Sequence, residues 1–311
     1  MHIPVLLNEV VNGLKLEKGG VIVDGTINGG GHAREIITRI MPEGMFIGIE
    51  WDRAVCVRTK EALHKEFSQY ASVIVCEWEN YKNIKTIIEK YGVSKIDGML
   101  IDLGFSSLDL EESRRGFSFQ KDEILDMRYD NTSGAPAWQM LAQADEKTIA
   151  DKLFEYGEER YSRSIARAIV RARTTESVSH TNRLAEIVRA AVPRSYRYGK
   201  IHPATKTFQA LRIWVNSELD NIRALCDSLP DVLAHGARVA IISFHSLEDR
   251  IVKQWFVKAK KEYNCHIITK KPIVATNEEQ KRNPRSRSAK LRILEWATGD
   301  QYKTKKQKYF K

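Results

Sequence analysis

The sequence predicts an α/β fold in which an open parallel sheet is interrupted by an all-helical segment. Four short apolar runs within the first 103 residues each precede a helical pattern, which is the order that a parallel sheet requires. Between residues 109 and 205 there is helical periodicity but no convincing buried strand, and a fifth apolar run follows at 238–243. We therefore expect a sheet domain formed by 1–108 and 206–311, with a helical insertion at 109–205.

The first strand leads into a glycine-rich turn. Residues 20–23 suit a buried central strand, and residues 33–37 carry apolar side chains at helical spacing. Glycines at such a junction let the backbone turn sharply and bring a ligand against the N–H groups at a helix start, although an ordinary tight connection also uses them. Counted from Gly29, Arg34 takes the third glycine position of the dinucleotide pattern, which disfavours a dehydrogenase.

Acidic residues end the second and fourth predicted strands. Glu50 lies about 20 residues after the glycine turn, where α/β nucleotide sites place a carboxylate on ribose hydroxyls, and we prefer it to Asp52 for that role. Asp102 occupies the corresponding place on the fourth strand. The strands and helices of this part are expected at 45–50, 52–67, 72–76, 80–91 and 96–103.

The predicted insertion begins with a polar and aromatic segment, 114–129, which we expect to be an ordered loop near the site. Helices are predicted at 148–156, 162–173 and 181–191. The segment 206–233 is also expected to be helical, with a break at Pro230.

The fifth strand is followed by a predicted helix that runs to about residue 261. Ser246 and Asp249 fit a capping box at its start. His245 precedes that cap, where a substrate contact and a hydrogen-bonded structural role are both open. Two late strands, 266–269 and 291–296, are expected to form an antiparallel hairpin around a polar loop.

The composition is that of a globular protein without disulfides. Apolar residues make up 42% of the 311, and no apolar run is long enough to cross a bilayer. Residues 1–9 lack the pattern of a signal peptide, so we expect a cytoplasmic protein. Neither cysteine nor histidine residues cluster at metal-ligand spacing, so no metal site is predicted. Four separated cysteines are expected to be reduced and structural: Cys56, Cys76, Cys226 and Cys265.

The net charge of +10 is concentrated near one end of the chain. Residues 270–311 contain 13 Lys and Arg against 4 acidic residues. Arginines also recur every fourth residue along one predicted helix face, at Arg163, Arg167 and Arg171. A solvated surface would explain such runs. The neighbouring tyrosines favour a nucleic-acid partner over a membrane surface: Tyr161, Tyr196, Tyr198, Tyr302 and Tyr309.

Eight ordered segments together resemble the RsmH (MraW) family. These are bacterial S-adenosylmethionine-dependent methyltransferases that modify the N4 amine of a cytosine in the decoding region of 16S ribosomal RNA. The similarity extends from residue 2 to 296 and is carried by residues 24–32 (DGTINGGGH), 102–107 (DLGFSS), 115–119 (RGFSF), 125–128 (LDMR), 157–160 (GEER), 202–219, 243–253 and 283–288 (NPRSRS).

The resemblance implies a Rossmann-like class I methyltransferase sheet, S-adenosylmethionine as cofactor and 16S rRNA or the small ribosomal subunit as partner. Our own hypothesis is that Asp102 and the turn after it lie beside the methyl group and the target base, which makes Asp102 the candidate catalytic residue. Where the family usually has Gly, Asp and Gln, this chain has Asn28, Glu50 and Asp109. The cofactor contacts that the resemblance implies are Gly30, Gly31, His32, Glu50, Tyr81, Asp102 and Asp109.

Two other functions are compatible with parts of this pattern. A non-enzymatic rRNA-binding assembly factor would keep the basic surfaces and need no cofactor. A nicotinamide-dependent oxidoreductase would share the sheet and the ribose-binding acid, but the glycine pattern disfavours it. A monomer and a homodimer are equally compatible with the sequence.

Overall fold

The computed structural model describes residues 4–103, 113–199 and 201–297. The chain forms two compact units, a sheet unit of Met1–Ser106 with Leu219–Lys311 and a helical unit of Ser107–Glu218. The helical unit ends later than the predicted insertion because the helix after residue 205 packs within it.

The sheet unit contains seven described strands. They are β1 (Val21–Asp24), β2 (Met45–Glu50), β3 (Ile74–Trp78), β4 (Ile96–Asp102), β5 (Leu233–Ser243), β6 (His266–Ile267) and β7 (Lys290–Glu295). Their order is β3-β2-β1-β4-β5-β7-β6, in which β1 to β5 are parallel and β7 is antiparallel to both β5 and β6. This Rossmann-like arrangement confirms the predicted parallel sheet and the late hairpin.

The sheet unit contains seven described helices. They are α1 (Leu7–Leu14), α2 (Gly31–Ile40), α3 (Arg53–Glu66), α4 (Ile84–Lys90), α11 (Glu218–Val232, which begins at the last residue of the helical unit), α12 (Ser246–Tyr263) and α13 (Asn277–Arg282). Those after β1, β2, β3 and β5 and the one before β5 were predicted. The first, before β1, was not, and the last lies within 276–288, where a polar loop was expected. On α2, the spacing of Ile36, Ile37 and Ile40 places all three side chains on one face, and all three are fully buried. Burial of each contributes about 1.5–3 kcal/mol to stability.

The helical unit consists of packed helices and an ordered loop. Its helices are α5 (Ala137–Gln143), α6 (Glu146–Gly157), α7 (Ser162–Ala172), α8 (Thr181–Ala191), α9 (Arg194–Arg197) and α10 (Thr205–Asn216). Helix α6 packs against both α7 and α10. Close approach of α6 and α10 requires Gly157, because a Cβ there would lie 2.6 Å from the carbonyl oxygen of Lys206.

The loop that opens the helical unit is ordered, as predicted. The Arg115 guanidinium donates hydrogen bonds to the carbonyl oxygens of Arg128 (3.0 Å) and Tyr129 (2.7 Å). Gly116 has a φ of +72°, and a Cβ at this position would lie 2.4 Å from the carbonyl oxygen of Ile124. Only glycine combines that backbone conformation with so close an approach.

Several predicted boundaries were wrong. The fifth strand begins at Leu233 and not at residue 238. The third strand begins at Ile74 because a 3-10 helix, Ser68–Val73, takes the preceding residues, and a second one, Tyr81–Asn83, precedes α4. The helical segment after residue 205 breaks at Ser217, which has a φ of +50°, while Pro230 is accommodated inside α11.

The predicted capping box of α12 is displaced by one residue. His245 has extended backbone and is the N-cap, so Ser246 is already the first helical residue. The His245 Nδ1 accepts the backbone N–H of Glu248 (3.4 Å), and the Glu248 carboxylate accepts the backbone N–H of His245 (3.2 Å). Of the two roles left open for His245, the structure therefore provides the structural one.

All four cysteines are buried as free thiols, as predicted. Within the described ranges, no helix has both the length and the apolar character needed to span a membrane.

Candidate cofactor site at the carboxyl edge of the sheet

The glycine turn between β1 and α2 is attached to both neighbouring strands. The Gly25 N–H donates to the carbonyl oxygen of Leu100 on β4 (2.9 Å), and the Ile27 N–H donates to that of Ile49 on β2 (2.9 Å). Because β1 lies between β2 and β4, the strand order reverses direction here. Crevices at the carboxyl ends of strands around such a reversal are the usual ligand sites of open α/β sheets.

Two residues of the turn have left-handed backbone. Gly30 has a φ of +75° and is the N-cap of α2, and a Cβ there would lie 3.1 Å from Thr59 Cγ2. Asn28 has a φ of +46°, which asparagine tolerates better than most residues. The Thr59 hydroxyl donates to the Asn28 carbonyl oxygen (2.6 Å) and so holds this conformation. The two residues therefore supply the left-handed backbone with which the turn leads into α2.

Glu50 ends β2 beside this turn. Its carboxylate accepts the backbone N–H groups of Asn28 (3.1 Å) and Asp52 (2.9 Å). Burial, with a smaller contribution from the charge of Asp52, raises the pKa of Glu50 to about 7. Asp52 is the N-cap of α3, and one of its oxygens accepts the N–H groups of Ala54 and Val55. Glu50 is therefore the better placed of the two acids to receive a ligand.

Asp24 and Asp102 end the two central strands. Thr26 joins them, since its N–H donates to Asp24 (3.1 Å) and its hydroxyl oxygen accepts the N–H of Asp102 (2.6 Å). The two residues are only 1% and 3% exposed. Burial raises the pKa of Asp24 to about 7.

His32, in the first turn of α2, is held by the N-terminal segment. Its Nε2 lies 2.9 Å from the carbonyl oxygen of Val5, and its Nδ1 lies 3.9 Å from Asp102 Oδ2. The N–H of Leu6, the next residue, donates to Glu279 Oε1 (2.8 Å). Glu279 thus fixes the segment that positions His32. Sequence reasoning missed this residue, because 273 positions separate it from Leu6 and no local pattern marks the pair.

Two further glycine contacts complete the edge. A Cβ at Gly31 would lie 3.1 Å from the ring of Pro4, so α2 starts directly against the N-terminal segment. A Cβ at Gly25 would lie 3.3 Å from the Cβ of Tyr81, which places Tyr81 beside the glycine turn. Tyr81 follows β3, and Asn80 caps its 3-10 helix by accepting the N–H of Lys82 (3.0 Å).

Comparison with known proteins identifies the family. The match to the MraW methylase family covers residues 1–297. The chain belongs to this family. A protein of Desulfotalea psychrophila named ribosomal RNA small subunit methyltransferase H is 44% identical over 295 residues, covering 95% of this chain and 98% of that protein. A protein of the same name from Clostridioides difficile is 40% identical over 309 residues, covering 94% and 98%.

Solved structures give only a general likeness to this methylase. A putative rRNA methylase from Clostridium thermocellum has a TM-score of 0.42 at 11% identity, covering 96% of this chain and 100% of its own. A putative methyltransferase, SMU.1697c, from Streptococcus mutans in complex with SAH has a TM-score of 0.39 at 11% identity, covering 95% and 99%.

The methylase brings six of its seven predicted cofactor-site residues to one edge of the sheet. Two of them end strands, Glu50 in β2 and Asp102 in β4, and the others follow β1 or β3: Gly30, Gly31, His32 and Tyr81. Asp109, the seventh, lies outside the described residues. That these residues contact a cofactor stays a prediction, and so does the catalytic role of Asp102.

Proposed function

We propose that this protein transfers a methyl group from S-adenosylmethionine to the N4 amine of a cytosine in the decoding region of 16S rRNA. The observation that carries the proposal is the glycine turn with Glu50 beside it, at the carboxyl edge of the sheet of a MraW methylase family member. The printed names of the relatives support ribosomal RNA of the small subunit as the substrate.

The residues at the edge fit the proposed cofactor. Gly30 and Gly31 stand at the start of α2, a helix terminus of the kind that binds polar ligands through its backbone. The Glu50 carboxylate would accept the ribose hydroxyls, and Tyr81 would contact the nucleoside. When bound, S-adenosylmethionine supplies a methyl group on a positively charged sulfur.

Asp102 would act on the amine. Its carboxylate would accept an N–H of the cytosine N4, which orients the nitrogen lone pair toward the methyl carbon. As the N–C bond forms and the S–C bond breaks, the amine loses a proton, and Asp102 would accept it. His32, whose Nδ1 lies 3.9 Å from Asp102 Oδ2, would hold the carboxylate in place.

The helical unit is the proposed RNA-binding part of the chain. The target cytosine must be unstacked before its amine can be reached, so the protein has to hold unpaired RNA. Charge reversal at Arg167 and at Arg171 is expected to abolish methylation of RNA and to leave cofactor binding intact. Unchanged methylation by both variants would contradict this role. With a ribosomal substrate, the protein would act in the cytoplasm.

Calorimetric titration with S-adenosylmethionine and, in parallel, with NAD tests the cofactor. The proposal expects saturable binding of S-adenosylmethionine alone. Binding of NAD alone would favour an oxidoreductase and refute the proposal. Binding of neither would favour a non-enzymatic assembly factor.

A further inference from the structure

Three side chains of the helical unit form an aromatic and cationic cluster. The Arg160 guanidinium carbon lies 4.8 Å from the ring centroid of Tyr161 and 4.9 Å from that of Tyr196. The two tyrosine rings meet edge to face, with their centroids 4.9 Å apart. These distances are those of favourable cation–π and aromatic contacts.

A buried carboxylate fixes the cluster in place. Glu159 is fully buried and accepts the hydroxyl of Tyr196 (2.8 Å) and the backbone N–H of Tyr161 (2.9 Å). Burial and this carboxylate raise the pKa of Tyr196 to about 12, so the ring carries no charge at neutral pH. The rings are therefore positioned before any ligand arrives, which lowers the entropic cost of binding to them.

The cluster lies at the protein surface. Arg160 is exposed, and both tyrosine rings are only half-buried. Tyr198 follows two residues after Tyr196, and 70% of its surface is exposed. An aromatic side chain so exposed contributes little to the folding of its own chain, so its flat face is available to a partner.

Two arginines lie close to the cluster in sequence. Arg163 and Arg194 are exposed, and neither pairs with a carboxylate in the part of the chain that the structure describes. Arg167, by contrast, lies 3.5 Å from Glu146, and Arg183 lies 3.1 Å from Glu176. The unpaired arginines flank the aromatic cluster in sequence, which suits an anionic ligand that also carries flat rings.

We propose that Arg160, Tyr161, Tyr196 and Tyr198 form a stacking surface for unpaired nucleotides of the RNA substrate. Unpaired bases stack on aromatic rings and on guanidinium planes, while nearby arginines attract the phosphates. An acidic peptide would satisfy the arginines but would leave the rings uncovered. This inference rests on the proposed function, because it assigns to the helical unit the part that holds the substrate.

The test is fluorescence anisotropy with the full-length protein and a fluorescein-labelled single-stranded RNA of 12 nucleotides. A second probe has the same backbone but no bases, and a third is labelled poly-L-glutamate. Tyr198→Ala removes a ring and Tyr198→Phe keeps it. Arg160→Lys keeps the positive charge but removes the planar guanidinium group. The matched control is Arg223→Lys, which makes the same change at an exposed arginine of α11 that pairs with Asp220.

The stacking surface predicts that Tyr198→Ala and Arg160→Lys weaken binding of the complete RNA about fivefold or more. Binding of the abasic RNA should change less than about twofold, and Tyr198→Phe and Arg223→Lys should behave as the wild type. Equal losses on both RNAs, or no loss, would overturn the inference, as would poly-L-glutamate binding as tight as RNA binding. Titration of the wild type with S-adenosylmethionine separates the two proposals. If S-adenosylmethionine does not bind, the proposed function is refuted, and the result says nothing against the stacking surface.

Discussion

Cofactor affinity should depend on pH through Glu50. The pKa of this carboxyl is raised to about 7, and ribose hydroxyls donate more strongly to its ionised form. A group with that pKa is about one-tenth ionised at pH 6 and about nine-tenths ionised at pH 8. If the bound state requires the ionised form, the affinity should rise about tenfold between these two pH values.

Calorimetry with 5′-methylthioadenosine measures this dependence, because the ligand keeps the ribose but has no group that titrates in this range. Glu50→Gln should weaken binding and make it independent of pH. Asp24→Asn is the matched control, since the pKa of Asp24 is also raised to about 7 but no cofactor contact is assigned to this residue. This variant should keep the rise in affinity. A flat profile in the wild type, or a rise that persists in Glu50→Gln, would refute the reasoning.

Three other perturbations follow from the contacts. From pH 6 to pH 8, the free energy of unfolding of the wild type should fall by about 1.4 kcal/mol relative to that of Asp24→Asn, because the pKa of Asp24 is higher in the folded than in the unfolded chain. Urea unfolding measures this difference. The same pH dependence in both proteins would contradict the prediction. Gly157→Ala should lower the free energy of unfolding by about 2 kcal/mol, because the added Cβ would lie 2.6 Å from the Lys206 carbonyl oxygen. An unchanged melting temperature would contradict this prediction. Asp102→Ala should lower methyl transfer by about a hundredfold or more, and unaltered turnover with unaltered cofactor affinity would remove Asp102 from the site.

The sequence was sufficient where local patterns determine the structure. The strand Met45–Glu50 has the predicted bounds, because a buried apolar run between two turns leaves little choice of register. Asp52 caps α3, and the role of Glu50 toward a ribose stays a prediction. The parallel sheet followed from the alternation of strands and helices alone.

Prediction failed where the outcome depends on backbone conformation or on distant residues. His245 and Ser246 are both plausible caps in sequence, and the extended backbone of His245 decides between them. Ser217 interrupts a helix by adopting a positive φ that no pattern indicates. The contact between Glu279 and Leu6 joins residues 273 positions apart, so neither local sequence contains a signal for it.

Methyl transfer to ribosomal RNA tests the central claim most directly. Small ribosomal subunits from a strain that lacks this modification are incubated with the protein and isotopically labelled S-adenosylmethionine, and the rRNA is digested to nucleosides for mass spectrometry. The proposed function predicts label in N4-methylcytidine, from a fragment of the decoding region, and about a hundredfold less label with Asp102→Ala. Label in another nucleoside, or no label although S-adenosylmethionine binds, would contradict it.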